Sequence, residues 1–226
     1  MFERKGKLIV LEGTDGSGKA TQSKLLLRAL QRHLPATLFE FPRYKRSEFG
    51  RLIRRSLSGE FGDFLRLSPY LSSLPYMLDR ARALPLLLEA LKEGHVICDR
   101  YTTSNIAYQA AKLKPLEHRK FISFVENAEY HELGLPTPDV VLFLWVPPRV
   151  SRKLLAKREH SRNVAPDQHE LEYNFQRSVI KMYTYLAATN PNWRVVRCVD
   201  GHGRVLSRDT IHAKVMNVLR RTLKLK

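Results

Sequence analysis

The clearest chemical signature in the chain is Leu8 to Thr21, LIVLEGTDGSGKAT. Four apolar residues run into Gly13-Thr14-Asp15-Gly16-Ser17-Gly18-Lys19, and Ala20 and Thr21 continue a helical stretch opened by Lys19. That is the G-x-x-x-x-G-K spacing of a phosphate-binding loop between a strand and a helix. Glycines let such a loop curl so that backbone N–H groups point inward at phosphate, and the helix adds its positive N-terminal end. Residues Gly13 to Thr21 are therefore the expected ATP-binding stretch, with Lys19 reaching the β- and γ-phosphates of the donor. Ala20 stands where Ser or Thr usually offers a hydroxyl to Mg²⁺. Asp15 has two readings, a turn-stabilising residue or a carboxylate facing substrate and metal.

Three more constellations can do chemistry. Asp99-Arg100-Tyr101 follows an apolar strand; there an acidic residue can hold Mg²⁺ or its water while Arg100 grips phosphate in a fork. The plainer reading is a helix cap beside a surface ion pair. Phe41-Pro42-Arg43-Tyr44 closes a second strand. Tyr76 and Arg80 lie four residues apart, on one face of a helix. Such an aromatic and arginine can stack a planar base and hold its edge, or else simply pack half-buried.

The elements that must position these residues read as alternating strands and helices. Strands are expected at Leu8–Leu11, Thr37–Phe41, Val96–Cys98, Val140–Val146 and Val195–Val199. Their near-continuous hydrophobicity suits a parallel sheet covered on both faces. Helices are expected at Lys19–Arg32, Glu48–Ser58, Tyr70–Glu93 (broken or kinked at Pro85), Asn105–Lys112, Glu117–Tyr130, Val150–Arg158, Leu171–Thr189 and Arg208–Leu223. The predicted fold is α/β, three layers α/β/α with a five-stranded parallel sheet and ligands at the strands' carboxyl ends. A single domain over residues 1–226 suits the chain length. No apolar run approaches the roughly 20 residues that span a bilayer, which predicts no membrane partner. Cys98 and Cys198 read as buried thiols of a reducing, cytoplasmic setting. The net charge of +17 comes from 39 basic and 22 acidic residues. It admits a nucleic-acid partner, but the basic residues are spread without a compact run, so solvated faces and anionic ligands are the favoured account.

Taken in order, EGTDGSGKATQ, FPRY, SLSGEFGDF, LPYMLDR, DRYTTSNIAYQ and LGLPTPDVVLFLWV resemble the pattern of thymidylate kinases, from about Leu8 to Tyr183. The resemblance implies phosphoryl transfer from ATP to dTMP with Mg²⁺, and a homodimer. By position, Arg43 and Arg100 resemble the clamps on the dTMP phosphate. Tyr76 resembles the aromatic that stacks on thymine, and Arg80 the arginine that reaches its carbonyl. Phe41, Asn105, Tyr108 and Gln109 fall in segments around base and deoxyribose, and Asp15 resembles the acid near the sugar 3′-OH and the metal. In some members a loop arginine stands where this chain has Gly16, so a helical lid at about 149–170 is expected to supply one, with Arg158 or Arg162 as contributor. Asp15, Asp99 and Glu170 are the carboxylates expected near Mg²⁺. Alternatives are a kinase of another monophosphate such as dUMP, or a P-loop nucleic-acid-binding or regulatory protein.

Overall fold

The structure, a computed structural model, describes residues 4–154 and 173–223. Five strands form one parallel sheet: β1 (Leu8–Glu12), β2 (Ala36–Glu40), β3 (His95–Asp99), β4 (Val140–Trp145) and β5 (Trp193–Arg197), in the order β2-β3-β1-β4-β5. Leu8 pairs with Val96 on one side of β1 and Ile9 with Val140 on the other. The central strand is buried throughout, as a strand covered on both faces must be.

The two-residue period of β1 sorts the core into two layers. Leu8 and Val10 face a cluster built with α3 (Pro69–Glu93), α4 (Thr102–Ala110), α5 (Pro115–Glu126) and α7 (Tyr173–Thr189). Ile9 and Leu11 face the opposite cluster, with Leu26 and Leu30 of α1 (Lys19–Leu30) and Ile211, Val215 and Leu219 of α8 (Arg208–Leu223). A third, small cluster joins Ile53 and Leu57 of α2 (Glu48–Leu57) to Phe64, with Tyr76 packed on it. Residues 148–154 are helical and form α6 as far as it is described.

The expected three-layer parallel architecture is thus observed, with local corrections. Pro85 does not break its helix: α3 runs unbroken through both Pro75 and Pro85. A proline removes one donor, and burial of Ala83, Leu87 and Leu91 against the sheet carries the helix past it. The expected helix Glu117–Tyr130 changes character at Glu126 and continues as a π-helical turn, Asn127–Glu132. Strand β5 lies two residues earlier than the hydrophobic run Val195–Val199, because Trp193 begins the pairing with Val141. No helix of the described residues is long and apolar enough to cross a membrane.

Candidate active site

The glycine loop sits at the carboxyl end of the central strand. Gly13 has φ of 150°, and a Cβ there would lie 2.7 Å from Ser17 Oγ and 2.9 Å from the Leu144 carbonyl oxygen, so the turn out of β1 requires glycine. Gly18, at φ 90°, turns the chain into α1. Lys19 folds back and donates from Nζ to the carbonyls of Gly13 and Thr14, both at 2.9 Å. Burial, with Arg100 nearby, lowers its pKa to about 8, against the opposing pull of Asp15, Asp99 and Glu12. Ser17 Oγ is buried with no hydrogen-bond partner among the described residues. The root of α6 braces the loop: Ser151 Oγ donates to the Asp15 carbonyl at 2.6 Å and lies 3.1 Å from Thr14 Oγ1. Ala20 and Thr21 are exposed on α1.

Beside the loop, Asp15, Arg100 and Tyr108 form one network. Arg100 Nη2 donates to Asp15 Oδ1 at 2.5 Å, and Tyr108 Oη donates to Asp15 Oδ2 at 2.9 Å. Burial alone would raise the Asp15 pKa. Arg100 and Lys19 overcome it and hold the carboxyl well below the usual range. Arg100 adopts φ of 66°, the left-handed region that a non-glycine residue rarely takes, and such backbone concentrates at functional sites. Its N–H donates to the Leu11 carbonyl at 3.1 Å, which pins this turn to β1. Asp99 precedes it at the end of β3, where burial raises its pKa and the charges of Lys19 and Arg100 oppose that rise. Underneath, the fully buried Glu12 accepts from the Tyr101 N–H and the hydroxyls of Thr103, Ser104 and Tyr183.

The FPRY turn is tied to α3. Asp79, 1% exposed, accepts from the Arg43 backbone N–H at 2.7 Å and from Ser47 Oγ, and Ser47 in turn caps α2 by accepting from the Gly50 N–H. The Phe41–Pro42 bond is cis. Arg43 is half-buried at the turn, whereas Phe41 is a core residue, stacked on Phe39 and tilted against Tyr101.

Between α3 and α4 lies a second buried polar cluster. Tyr76 is half-buried, its ring 6.3 Å from that of Phe64. Asn105 Nδ2 donates to the Ser73 carbonyl and to Glu129 Oε1, while its Oδ1 has no partner among the described residues. Gln109 Oε1 accepts from Ser72 Oγ at 2.6 Å, while its Nε2 has no partner among the described residues. Lys112 donates to Ser72 Oγ and to the Phe64 carbonyl, and burial lowers its pKa to about 8. Arg80 is only 2% exposed and donates from Nε and Nη2 to Glu129, both at 2.5 Å. Sequence reasoning missed Glu12, Asp79, Lys112 and Glu129. Only Glu12 left a signal, an acid ending an otherwise apolar strand. Arg158, Arg162, Glu170 and the expected lid beyond residue 154 lie outside the described residues.

A glycine loop on the central strand of a parallel sheet, with arginines from two neighbouring strand ends, defines a P-loop nucleoside monophosphate kinase fold. The sequence model of the family described as thymidylate kinase matches residues 11–202. The thymidylate kinase of Mycobacterium tuberculosis is 36% identical over 210 residues, covering 88% of this chain and 94% of that one. The human thymidylate kinase is 32% identical over 222 residues, covering 93% and 94%. A solved thymidylate kinase structure from Candida albicans superposes with a TM-score of 0.74 at 23% identity, covering 97% of this chain and 93% of that chain. The chain belongs to the thymidylate kinase family, and its reaction is the phosphorylation of dTMP to dTDP with ATP as donor.

Proposed function

We propose that the Gly13–Thr21 loop holds the ATP phosphates, that Arg43 and Arg100 hold the dTMP phosphate, and that the α3–α4 cluster holds the thymine. The observation that carries the base assignment is the pair of buried, unpartnered atoms Asn105 Oδ1 and Gln109 Nε2. An orphaned buried acceptor and donor cost stability unless a ligand completes them. Thymine offers the complement, an N3–H donor and a carbonyl acceptor. Tyr76 supplies a ring for stacking, and Arg80, held by Glu129 through Nε and Nη2, is the arginine assigned to a base carbonyl.

The acceptor is already an anionic phosphate, so the transfer needs positioning and charge neutralisation rather than a general base. One dTMP phosphate oxygen forms a bond to the γ-phosphorus as the bond to the bridging oxygen of ADP breaks. Lys19 leaves the carbonyls of Gly13 and Thr14 for the moving charge. Asp15, ionised throughout the working range, orients Arg100 and accepts from the sugar 3′-OH, and Tyr108 beside it leaves little room for a 2′-OH. With no charge at Gly16, the lid contributes an arginine, Arg158 or Arg162.

For Mg²⁺, the described residues contain no cluster of three or more His, Cys, Asp or Glu. Ala20 offers no hydroxyl, and Asp15 is committed to Arg100 and Tyr108. Asp99, a carboxylate facing Lys19 at a strand end, fits an ion held mainly by nucleotide and water; Glu170 is a further donor in this proposal. Mg²⁺ would neutralise charge on the β- and γ-phosphates.

The proposal extends to a cytoplasmic homodimer. Leu71, Leu74 and Leu78, spaced by three and four on α3, are 64%, 43% and 42% exposed, an apolar stripe that a second copy would cover. A coupled ADP-release assay across dTMP, dUMP, dCMP and thymidine tests the whole reading. The expected order places dTMP first and thymidine, which has no phosphate for Arg43 and Arg100, last. Turnover with no preference for a 5′-phosphate would remove the clamp assignment. Steep salt-dependent DNA binding without turnover would favour the nucleic-acid alternative that the charge of +17 admits.

A further inference from the structure

Glu129 projects from the π-helical turn Asn127–Glu132 and is fully buried, yet the chemistry proposed above makes no direct use of it. The wide turn is closed by the Leu133 N–H donating to the Ala128 carbonyl at 2.9 Å. Such turns are rare and concentrate at functional sites. Among the described residues, the hydrogen bonds of its side chain all go to residues of α3 and α4. Its Oε1 accepts from Arg80 Nη2 and, at 3.2 Å, from Asn105 Nδ2; its Oε2 accepts from Arg80 Nε and, at 2.7 Å, from Thr102 Oγ1.

The Asn105 amide therefore has a fixed sense. Its two neighbours on the protein side, the Ser73 carbonyl and the Glu129 carboxylate, can only accept, so Nδ2 must face them. Oδ1 is then the atom turned away, buried and unpartnered. An acceptor in that position suits the N3–H of thymine or uracil. It opposes cytosine, whose N3 is itself an acceptor and whose 4-position carries an amino donor in place of a carbonyl.

We propose that Glu129 is a positioning residue that sets specificity for thymine over cytosine, by holding the Asn105 amide with its oxygen toward the base and by aiming the Arg80 guanidinium. The inference rests on the base-pocket assignment made under the proposed function. An ionised carboxylate does this better than an amide would, because both its oxygens accept and neither can turn a donor toward Asn105 or Arg80. Discrimination by an enforced mismatch also exceeds what a methyl-sized pocket achieves, since the wrong base leaves buried polar groups unpaired.

The test compares kcat/KM for dTMP and dCMP in the wild-type protein and in Glu129→Gln, Glu129→Asp and Asn105→Ala. Glu129→Gln places a donor among donors and frees the Asn105 amide to turn. Glu129→Asp keeps the charge that Arg80 needs but withdraws it from Asn105, so selectivity stays measurable should the glutamine variant fail to fold. The expected result is a fall of the dTMP-to-dCMP ratio of about tenfold or more in either variant, with the KM for ATP unchanged. A purely structural role lowers both substrates together and leaves the ratio where it was. An unchanged ratio in a folded Glu129 variant, with a changed ratio in Asn105→Ala, overturns the inference and leaves the pocket standing. An Asn105→Ala variant with the dTMP KM and the ratio of the wild type overturns the pocket assignment and the inference with it.

Discussion

Lys19 makes the affinity of the glycine loop for nucleotide depend on pH in a range where an unperturbed lysine would be silent. Its pKa in the free protein is about 8, lowered by burial and by Arg100. A polyphosphate binds the protonated form and raises that pKa once bound. For a group titrating at about 8, the protonated fraction falls from about nine-tenths at pH 7 to about one-eleventh at pH 9. The affinity for Mg²⁺-free ADP, whose phosphates stay ionised across this interval, should drop about tenfold, close to 1.4 kcal/mol. A lysine at its ordinary value of 10.5 would remain about 97% protonated at pH 9 and give a nearly flat profile. Asp15 titrates far below this range, and Arg100, Tyr108 and Tyr183 well above their ordinary values; Asp99, which burial pushes up, is separated from Lys19 by repeating the profile in Asp99→Asn. Lys112 also titrates near 8, but it belongs to the Phe64–Ser72 contact, so Lys112→Met should leave the ADP profile as it is. The assay is calorimetry at pH 7, 8 and 9 in two buffers of different ionisation enthalpy, which also reads the uptake of close to one proton per ADP at pH 9. Constant affinity from pH 7 to 9, with no proton uptake, would refute the account of Lys19.

The same shift has an opposite effect on the ligand-free protein. A folded-state pKa below the unfolded one means that charged Lys19 costs stability below about pH 8, a cost relieved as pH rises from 8 towards 10.5. After subtracting the two hydrogen bonds to Gly13 and Thr14, Lys19→Met should gain about 2 kcal/mol at pH 7, a rise of roughly 4–8 °C in Tm by calorimetry, while abolishing turnover; a lower Tm sinks the burial argument. Tyr76→Ala should raise the KM for dTMP at least about tenfold and leave that for ATP unchanged, and equal effects on both would remove the stacking role. Leu74→Glu should convert a dimer to a monomer in light scattering without changing the near-ultraviolet spectrum, and a dimer that survives rejects the α3 stripe as the interface. Arg158→Ala and Arg162→Ala, made separately, should leave dTMP binding intact while one lowers kcat by about 10³ or more, and two normal kcat values reject the lid arginine.

What the sequence disclosed depended on whether a residue's surroundings were local. The glycine loop was legible because the strand, turn and helix that give Gly13, Gly18 and Lys19 their roles are contiguous, and its observed geometry follows the spacing closely. Arg43, Tyr76, Arg100 and Asn105 entered through resemblance; the fold sets Asn105 against Ser73 of α3 and Arg100 against Asp15 of the loop, and their proposed ligand roles are what the kinetic tests address. Asp79 and Glu129 were not, because each acts on residues 36 and 24 to 49 positions away, and an acid in a helical stretch looks like a solvated face until its partners are known. Pro85 misled for the complementary reason: proline weakens a helix locally, but burial of the next turns against the sheet decides the outcome. Phe41, by contrast, was legible as the last residue of an expected apolar strand, and it packs in the core.

The position of β1 also bears on how the chain is made. Its neighbours on either side are β3 and β4, whose residues leave the ribosome about 90 and 130 positions after it. Until β4 has emerged, β1 has no partner on one side, and the Leu144 carbonyl that crowds Gly13 is missing from the loop. The nascent chain must therefore carry an apolar strand and an open glycine turn while about 130 further residues are made. Nucleotide can stabilise the fold only after β4 exists, so folding before that point draws on the local helices rather than on ligand.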